Sequence, residues 1–213
     1  MQFDSGTDIL GVVDVQPTFM PGGELPVADG DAIVPVINRL LGRFDHAFAT
    51  QDWHPADHAS FASAHRDRRP YDTIEMPYGD QVLWPDHAIA GSPSSAIHSA
   101  IDQTRIEAII RKGFRPTLDS YSAFFENDRQ TPTGLEAWLR QRGFARLFLC
   151  GLATDFCVAW SAEDAARLGF SVTIIEDACR GIGLPTSEGR TSMDDARDRL
   201  TSLGVRFIDS GAL

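Results

Sequence analysis

Six short apolar runs rich in Val, Ile, Phe and Leu recur along the chain: DILGVVDV (8–15), HAFAT (46–50), IEAIIRK (106–112), RLFLCG (146–151), FSVTII (170–175) and VRFI (205–208). Their length suits strands. Helical patterns fall between most of them, at 31–42, 94–102, 133–143, 155–169 and 191–204, and several close on a Gly, a common helix stop. Strands separated by helices imply a parallel sheet covered on both faces, and the continuously apolar runs agree, because such strands are buried on both sides. The expected fold is α/β: a single-domain three-layer sandwich with a mainly parallel sheet of about six strands and helices on both faces. No repeat, linker or low-complexity tract divides residues 1–213, so the whole chain is read as one domain. The one long irregular stretch, about 55–93, is rich in Pro, His, Asp and Ser, and such loops inside a compact domain are usually functional.

Charge narrows the partners. A formal net charge of -11 repels nucleic acid and anionic membrane alike, leaving a small neutral or cationic substrate. MQFDSGTDIL lacks the basic and apolar regions of a signal peptide, and no apolar run approaches the roughly 18 residues of a membrane span. Cys150, Cys157 and Cys179 form no CxxC pair and cannot all be paired internally, which fits a reducing, cytoplasmic compartment.

The reactive residues fall at related places. Asp14 closes the first run, Asp52 and His54 follow the second, Lys112 ends the third, and Cys157 lies just beyond the fourth. In a parallel sheet these positions share the carboxyl edge, where open α/β folds bind ligands. A free cysteine is ordinarily a small buried hydrophobe. With Thr154 or Asp155 as helix cap, however, Cys157 would sit in a first turn whose free N–H groups favour a thiolate. Asp14 is then the candidate base and Lys112 the charge partner of carboxylate and thiolate, a set suited to nucleophilic catalysis. Taken alone, Asp14 reads equally as a turn residue and Lys112 as a solvated charge. Cys150 and Cys179 have no such setting and read as structural.

A second constellation is QDWHPADH (51–58) with WPDH (84–87). Side chains alternate along an extended segment, so Asp52 and His54 point the same way and could grip one ion, with His87 as a third ligand and positions left open. Such oxygen and nitrogen donors suit one divalent metal ion, zinc foremost, or iron or manganese. The metal-binding loop region is therefore about 51–93. His58 reads either as a further ligand or as pocket lining, while His46 and His98 look structural. Phe19, Trp84 and Tyr121 are placed to wall a pocket, although aromatic residues more often serve the core.

The pieces VDVQPTFMPGGELPV (13–27), QDWHPADHASFA (51–62), QVLWPDHAIAGSP (81–93), RKG (111–113), DSYSAFF (119–125) and GLATDFCV (151–158) occur in the order found in nicotinamidases of the isochorismatase-like cysteine hydrolases, which the chain closely resembles. The resemblance implies a catalytic trio of Asp14, Lys112 and Cys157, metal ligands Asp52, His54 and His87, and a ring sandwich of Phe19 and Trp84. It places His58 at a position that reaches the metal in some members only. It also implies a cis peptide in the nucleophile loop, expected between Ala153 and Thr154, that aims the N–H groups of Ala153 and Cys157 at an oxyanion. The implied reaction is hydrolysis of nicotinamide to nicotinate and ammonia through a cysteine thioester, in NAD salvage; a homo-oligomer stays open. Pro17 and Thr18 stand where Asn and Asp are common, and Ala88 where Cys is frequent. Two other readings compete: an amidase of the same superfamily acting on a carbamoyl or ureido compound, whose relatives generally lack the metal triplet, and a non-catalytic metal-binding module, which would have a broken catalytic position.

Overall fold

The computed structural model describes residues 4–213. In chain order the elements are β1 (Asp8–Val13), α1 (Val34–Leu41), β2 (Ala47–Asp52), β3 (Thr73–Met76), β4 (Gly79–Val82), β5 (Ala108–Lys112), α2 (Leu135–Gln141), β6 (Arg146–Leu152), α3 (Ala159–Arg167), β7 (Ser171–Arg180), α4 (Ser192–Ser202) and β8 (Arg206–Ile208). Six of the strands form one sheet in the order β5-β2-β1-β6-β7-β8, with every neighbouring pair parallel. These are the six apolar runs of the sequence. β1 and β2 are buried at every position, because helices cover both faces of a parallel sheet. Ile9, Leu10, Phe48, Leu147 and Phe148 have no exposed surface, and each contributes about 1.5–3 kcal/mol by leaving water.

The topology fixes where a ligand can sit. From β1 the chain steps through α1 to β2 and on to β5; it then returns across the sheet and continues through β6, β7 and β8 on the other side of β1. Right-handed crossovers put α1 on one face and α2, α3 and α4 on the other. The direction reverses between β1 and β6, and the crevice at their carboxyl ends is the switch point of the sheet.

The fold departs from the sequence reading in three places. Residues 94–102 form no α-helix beyond the short turn Pro93–Ser95. Their backbone groups are engaged elsewhere: the Ser95 carbonyl accepts from both Gln16 and Gln51 side chains, and the His98 N–H donates to Val15. Within 55–93 the antiparallel hairpin β3–β4 appears, joined by Pro77 and Tyr78, which carry none of the Asn-Gly chemistry that marks tight hairpins. The stretch 155–169 is two elements, a π-helical turn over Thr154–Val158 and then α3. None of the described helices is long and apolar enough to cross a membrane.

Candidate active site

Four neighbouring strands, β5, β2, β1 and β6, each deliver one group to the same edge. Lys112 is the last residue of β5, Asp52 the last of β2, Asp14 follows β1, and Cys157 lies in the turn beyond β6. Lys112, the only lysine in the sequence, is fully buried. Its ammonium pairs with Asp14 Oδ2 at 2.8 Å and with Asp52 Oδ1, donates to the Ser120 carbonyl at 3.0 Å, and lies 3.3 Å from Cys157 Sγ. A carboxylate oxygen of Asp14, one of Asp52 and the Cys157 sulfur all fall within 4.8 Å of one another. The sequence-predicted trio is therefore assembled around one cation.

Burial sets the protonation states. It opposes the charge on Lys112, but the facing carboxylates of Asp14 and Asp52 outweigh it and hold the ammonium well above the usual lysine range. Burial pushes the Asp14 carboxyl up to about 6, against the pull of Lys112. On Asp52 burial also acts upward, yet Lys112, His54 and His87 prevail and hold the carboxyl well below its ordinary value. Burial lifts the Cys157 thiol well above the ordinary thiol range despite Lys112. The resting group is thus a protonated thiol, not the thiolate a helix N-terminus would favour. The expected helix cap is absent too: neither Thr154 nor Asp155 caps the turn, and the Asp155 carboxylate instead accepts the N–H groups of Ile182 and Gly183. The cis peptide lies between Leu152 and Ala153, one residue before the expected bond, where β6 ends.

Asp14 and Asp52 are held by residues the sequence reading passed over. Thr50 Oγ1 donates to Asp14 Oδ1 at 2.6 Å and accepts the Asp14 N–H at 3.1 Å. Gln16 does the same for the backbone of Asp52, accepting its N–H at 2.8 Å and donating to its carbonyl at 2.9 Å. Both partners sit on neighbouring strands or just past them, a proximity visible only once the strand order is known.

Asp52, His54 and His87 also converge. His54 Nε2 and His87 Nε2 lie 3.7 and 3.8 Å from Asp52 Oδ2, too far for hydrogen bonds but suited to donors sharing one ion at about 2.0–2.2 Å each. His54 Nδ1 donates to the Gly113 carbonyl at 2.8 Å and His87 Nδ1 to the Pro85 carbonyl at 2.8 Å, which leaves each Nε2 lone pair free toward Asp52. Backbone pairing brings the two loops together: the His54 N–H donates to Ala88, Ala90 to His54, Ala62 to Trp84 and Trp84 to Ser60. Two buried carboxylates facing one ammonium also leave a negative charge that a divalent cation would neutralise. The donor set fits such an ion.

Cys157 and these donors border a small cavity of about 20 Å³, walled by Phe19, Trp84 and Tyr121 among others. Phe19 and Trp84 are buried as core residues are, so they serve both core and wall. Trp84 Nε1 donates to the Tyr121 hydroxyl at 2.9 Å, and Gln81 Nε2 bonds both that hydroxyl, at 2.9 Å, and Asp119 Oδ2, at 2.8 Å. Gln81 arrives on β4, within the hairpin the sequence did not disclose. Asp119, Phe156 and Ile182 also line the cavity and were not anticipated; Ala153, expected as a backbone oxyanion donor, lines it too. His58 does not line it: the ring lies behind His54, with centroids 4.5 Å apart, and Nδ1 bonds Ser60 Oγ at 2.7 Å. His58, His54 and Asp119 also group their donor atoms within 4.8 Å of one another, with His54 and Asp119 bordering the cavity. Cys150 and Cys179 are buried in strands away from the cavity, in keeping with a structural role.

Residues 8–200 match the isochorismatase domain model. A nicotinamidase of Acinetobacter baylyi is 48% identical over 201 residues, spanning 94% of this chain and 92% of its own. A solved nicotinamidase/pyrazinamidase of Acinetobacter baumanii superposes with a TM-score of 0.93 at 47% identity, covering 97% of this chain and 98% of that one. The pyrazinamidase of Pyrococcus horikoshii, solved in complex with zinc, superposes with a TM-score of 0.75 at 32% identity, covering 95% of this chain and 98% of its own.

Proposed function

The chain belongs to the isochorismatase family, and from that premise we propose that it is an amidohydrolase converting nicotinamide to nicotinate and ammonia through a Cys157 thioester, in NAD salvage. The observation that carries this reading is the Lys112 ammonium contacting Asp14, Asp52 and the Cys157 sulfur at the edge of one aromatic-walled cavity.

The chemistry starts from a thiol that burial keeps protonated, so attack needs a base. Asp14, with its carboxyl pushed up to about 6, is ionised at neutral pH and still basic enough to take the thiol proton. Lys112 stabilises the thiolate as it forms. Sulfur attacks the carboxamide carbon, and the N–H groups of Ala153 and Cys157 receive the oxyanion; one such donor is typically worth about 3 kcal/mol. Asp14 returns the proton to the departing ammonia. Water then attacks the thioester with Asp14 again as base, releasing nicotinate and restoring the thiol. Phe19, Trp84 and Tyr121 clamp the pyridine ring.

Asp52, His54 and His87 would hold one divalent cation, and their nitrogen and oxygen donors favour zinc. Once bound, it supplies Lewis-acid chemistry at the wall facing the ring. The zinc reported with the Pyrococcus pyrazinamidase supports this assignment. We read the chain as one catalytic domain with its metal loop at about 51–93, acting in the cytoplasm on a small molecule, as three free cysteines and an acidic surface suit.

The test is ammonia release from nicotinamide. Cys157→Ala should abolish it, and complete removal of metal should lower it strongly in the wild type. Normal turnover by the alanine variant would eliminate the thioester route.

A further inference from the structure

The cavity beside Cys157 has room for about one water molecule and none for a pyridine ring. One of its walls must therefore move each time an amide enters. Most of them are fixed: Asp52 and His54 belong to β2 and its paired loop, and Phe19, Trp84 and Tyr121 are buried in the core. The remaining wall is different. Ile182 and Phe156 are only half-buried, and Phe156 also borders a second, larger cavity of about 600 Å³ together with Asp155, Trp160 and Leu184. Ile182 borders the small cavity and Leu184, Pro185 and Thr186 border the large one, so residues 182–186 run between the two.

One side chain ties that partition shut. Asp155, two residues before Cys157, is almost fully buried and borders the second cavity, not the one beside Cys157. Its Oδ1 accepts the Ile182 N–H at 3.0 Å, its Oδ2 the Gly183 N–H at 2.8 Å, and Oδ2 also accepts the hydroxyl of Ser192, the first residue of α4. A single carboxylate therefore joins the nucleophile turn, the segment leaving β7 and the start of α4. The approach is close: a Cβ on Gly181 would lie 2.1 Å from Met193 Sδ and 3.0 Å from Asp155 Oδ1. Main-chain N–H groups bonded to a charged acceptor make a stronger fastening than neutral pairs.

We propose that Asp155 is a positioning residue, the latch that holds 181–183 closed over the cavity, and that release of this latch is the route by which amides reach Cys157. The inference deepens the proposed function and rests on Cys157 being the reactive thiol. It assigns substrate retention and size discrimination to a residue that touches neither substrate nor metal.

Alkylation of the folded protein by iodoacetamide, followed residue by residue by mass spectrometry, tests it. Asp155→Asn keeps the shape but can accept only one of the two N–H groups. Cys157 should then label about tenfold faster, the scale of one lost hydrogen bond to a charged acceptor, while Cys150 inside β6 stays unlabelled. For nicotinamide, KM should rise about tenfold with kcat changed less than about threefold. Ile182→Ala should raise labelling similarly, and the double variant should add little, because both act on one wall. Ser192→Ala, which leaves the carboxylate in place, should give a smaller rise and carries the test if Asp155→Asn does not fold. Unchanged Cys157 labelling, Cys150 labelling alongside it, or multiplicative effects in the double variant would each overturn the latch. Labelling requires no turnover, so a protein inactive on nicotinamide that still shows these rates would refute the substrate and keep the latch.

Discussion

Thr50→Val tests the base directly. Valine fills the space of threonine and removes only the hydroxyl, which donates to Asp14 Oδ1 at 2.6 Å and accepts the Asp14 N–H at 3.1 Å in a fully buried setting. A hydrogen bond to a charged acceptor is worth about 1.5–3 kcal/mol, and about 1.4 kcal/mol corresponds to one pKa unit. The Asp14 carboxyl, already raised to about 6 by burial, should therefore climb by about one to two units more. As the base must be ionised, the acid limb of kcat/KM moves up by the same amount, and the rate at pH 7 falls roughly two- to tenfold. Stability gives an independent reading. An acid whose folded pKa lies above its unfolded one binds more protons folded than unfolded, so its contribution falls as pH rises between those values. The variant extends that window upward, and its loss of stability should be larger at pH 8 than at pH 5. Ammonia-release profiles from pH 5 to 9 and melting curves at both ends measure these effects. An unmoved acid limb with lowered stability would mean that Asp14 is not the base.

Two further substitutions probe the metal site and the ring slot. Gly113 has a φ of +65°, and a Cβ there would come within 2.3 Å of the His54 ring, so Gly113→Ala should push that ring off Asp52 and lower bound metal per chain, as counted by elemental analysis, at least about tenfold. Metal content equal to wild type would refute the shared-ion reading. Trp84→Ala removes a cavity wall and the Tyr121 partner and should weaken nicotinamide binding by at least about tenfold while Cys157 remains alkylatable; unchanged affinity would dismiss the aromatic clamp.

What was readable from the sequence was whatever depends on local pattern. The apolar runs gave the strands, and their alternation with helices gave a parallel sheet; Asp14, Asp52, Lys112 and Cys157 could be placed at one edge because each closes or follows a run. Residues whose role depends on strand order stayed hidden. Thr50 lies inside β2 and Gln16 in a loop, and nothing local says that each grips an aspartate from the other's strand end. Residues 94–102 read as a helix because apolar spacing cannot register that Gln16 and Gln51 claim the Ser95 carbonyl. The setting of the thiol was only half legible: proximity to a turn can be inferred from order along the chain, whereas the burial that raises its pKa cannot. His58, read either as a ligand or as pocket lining, packs its ring against His54 and is not among the residues bordering the cavity.

Having its sole lysine at the base of the crevice gives the folded molecule an unusual chemical silence. A protease that cuts only after lysine has one target bond, next to Lys112, and can reach it only when β5 leaves the sheet. Cleavage into two fragments is therefore a direct clock for that opening, and any ligand that tightens the crevice will slow it.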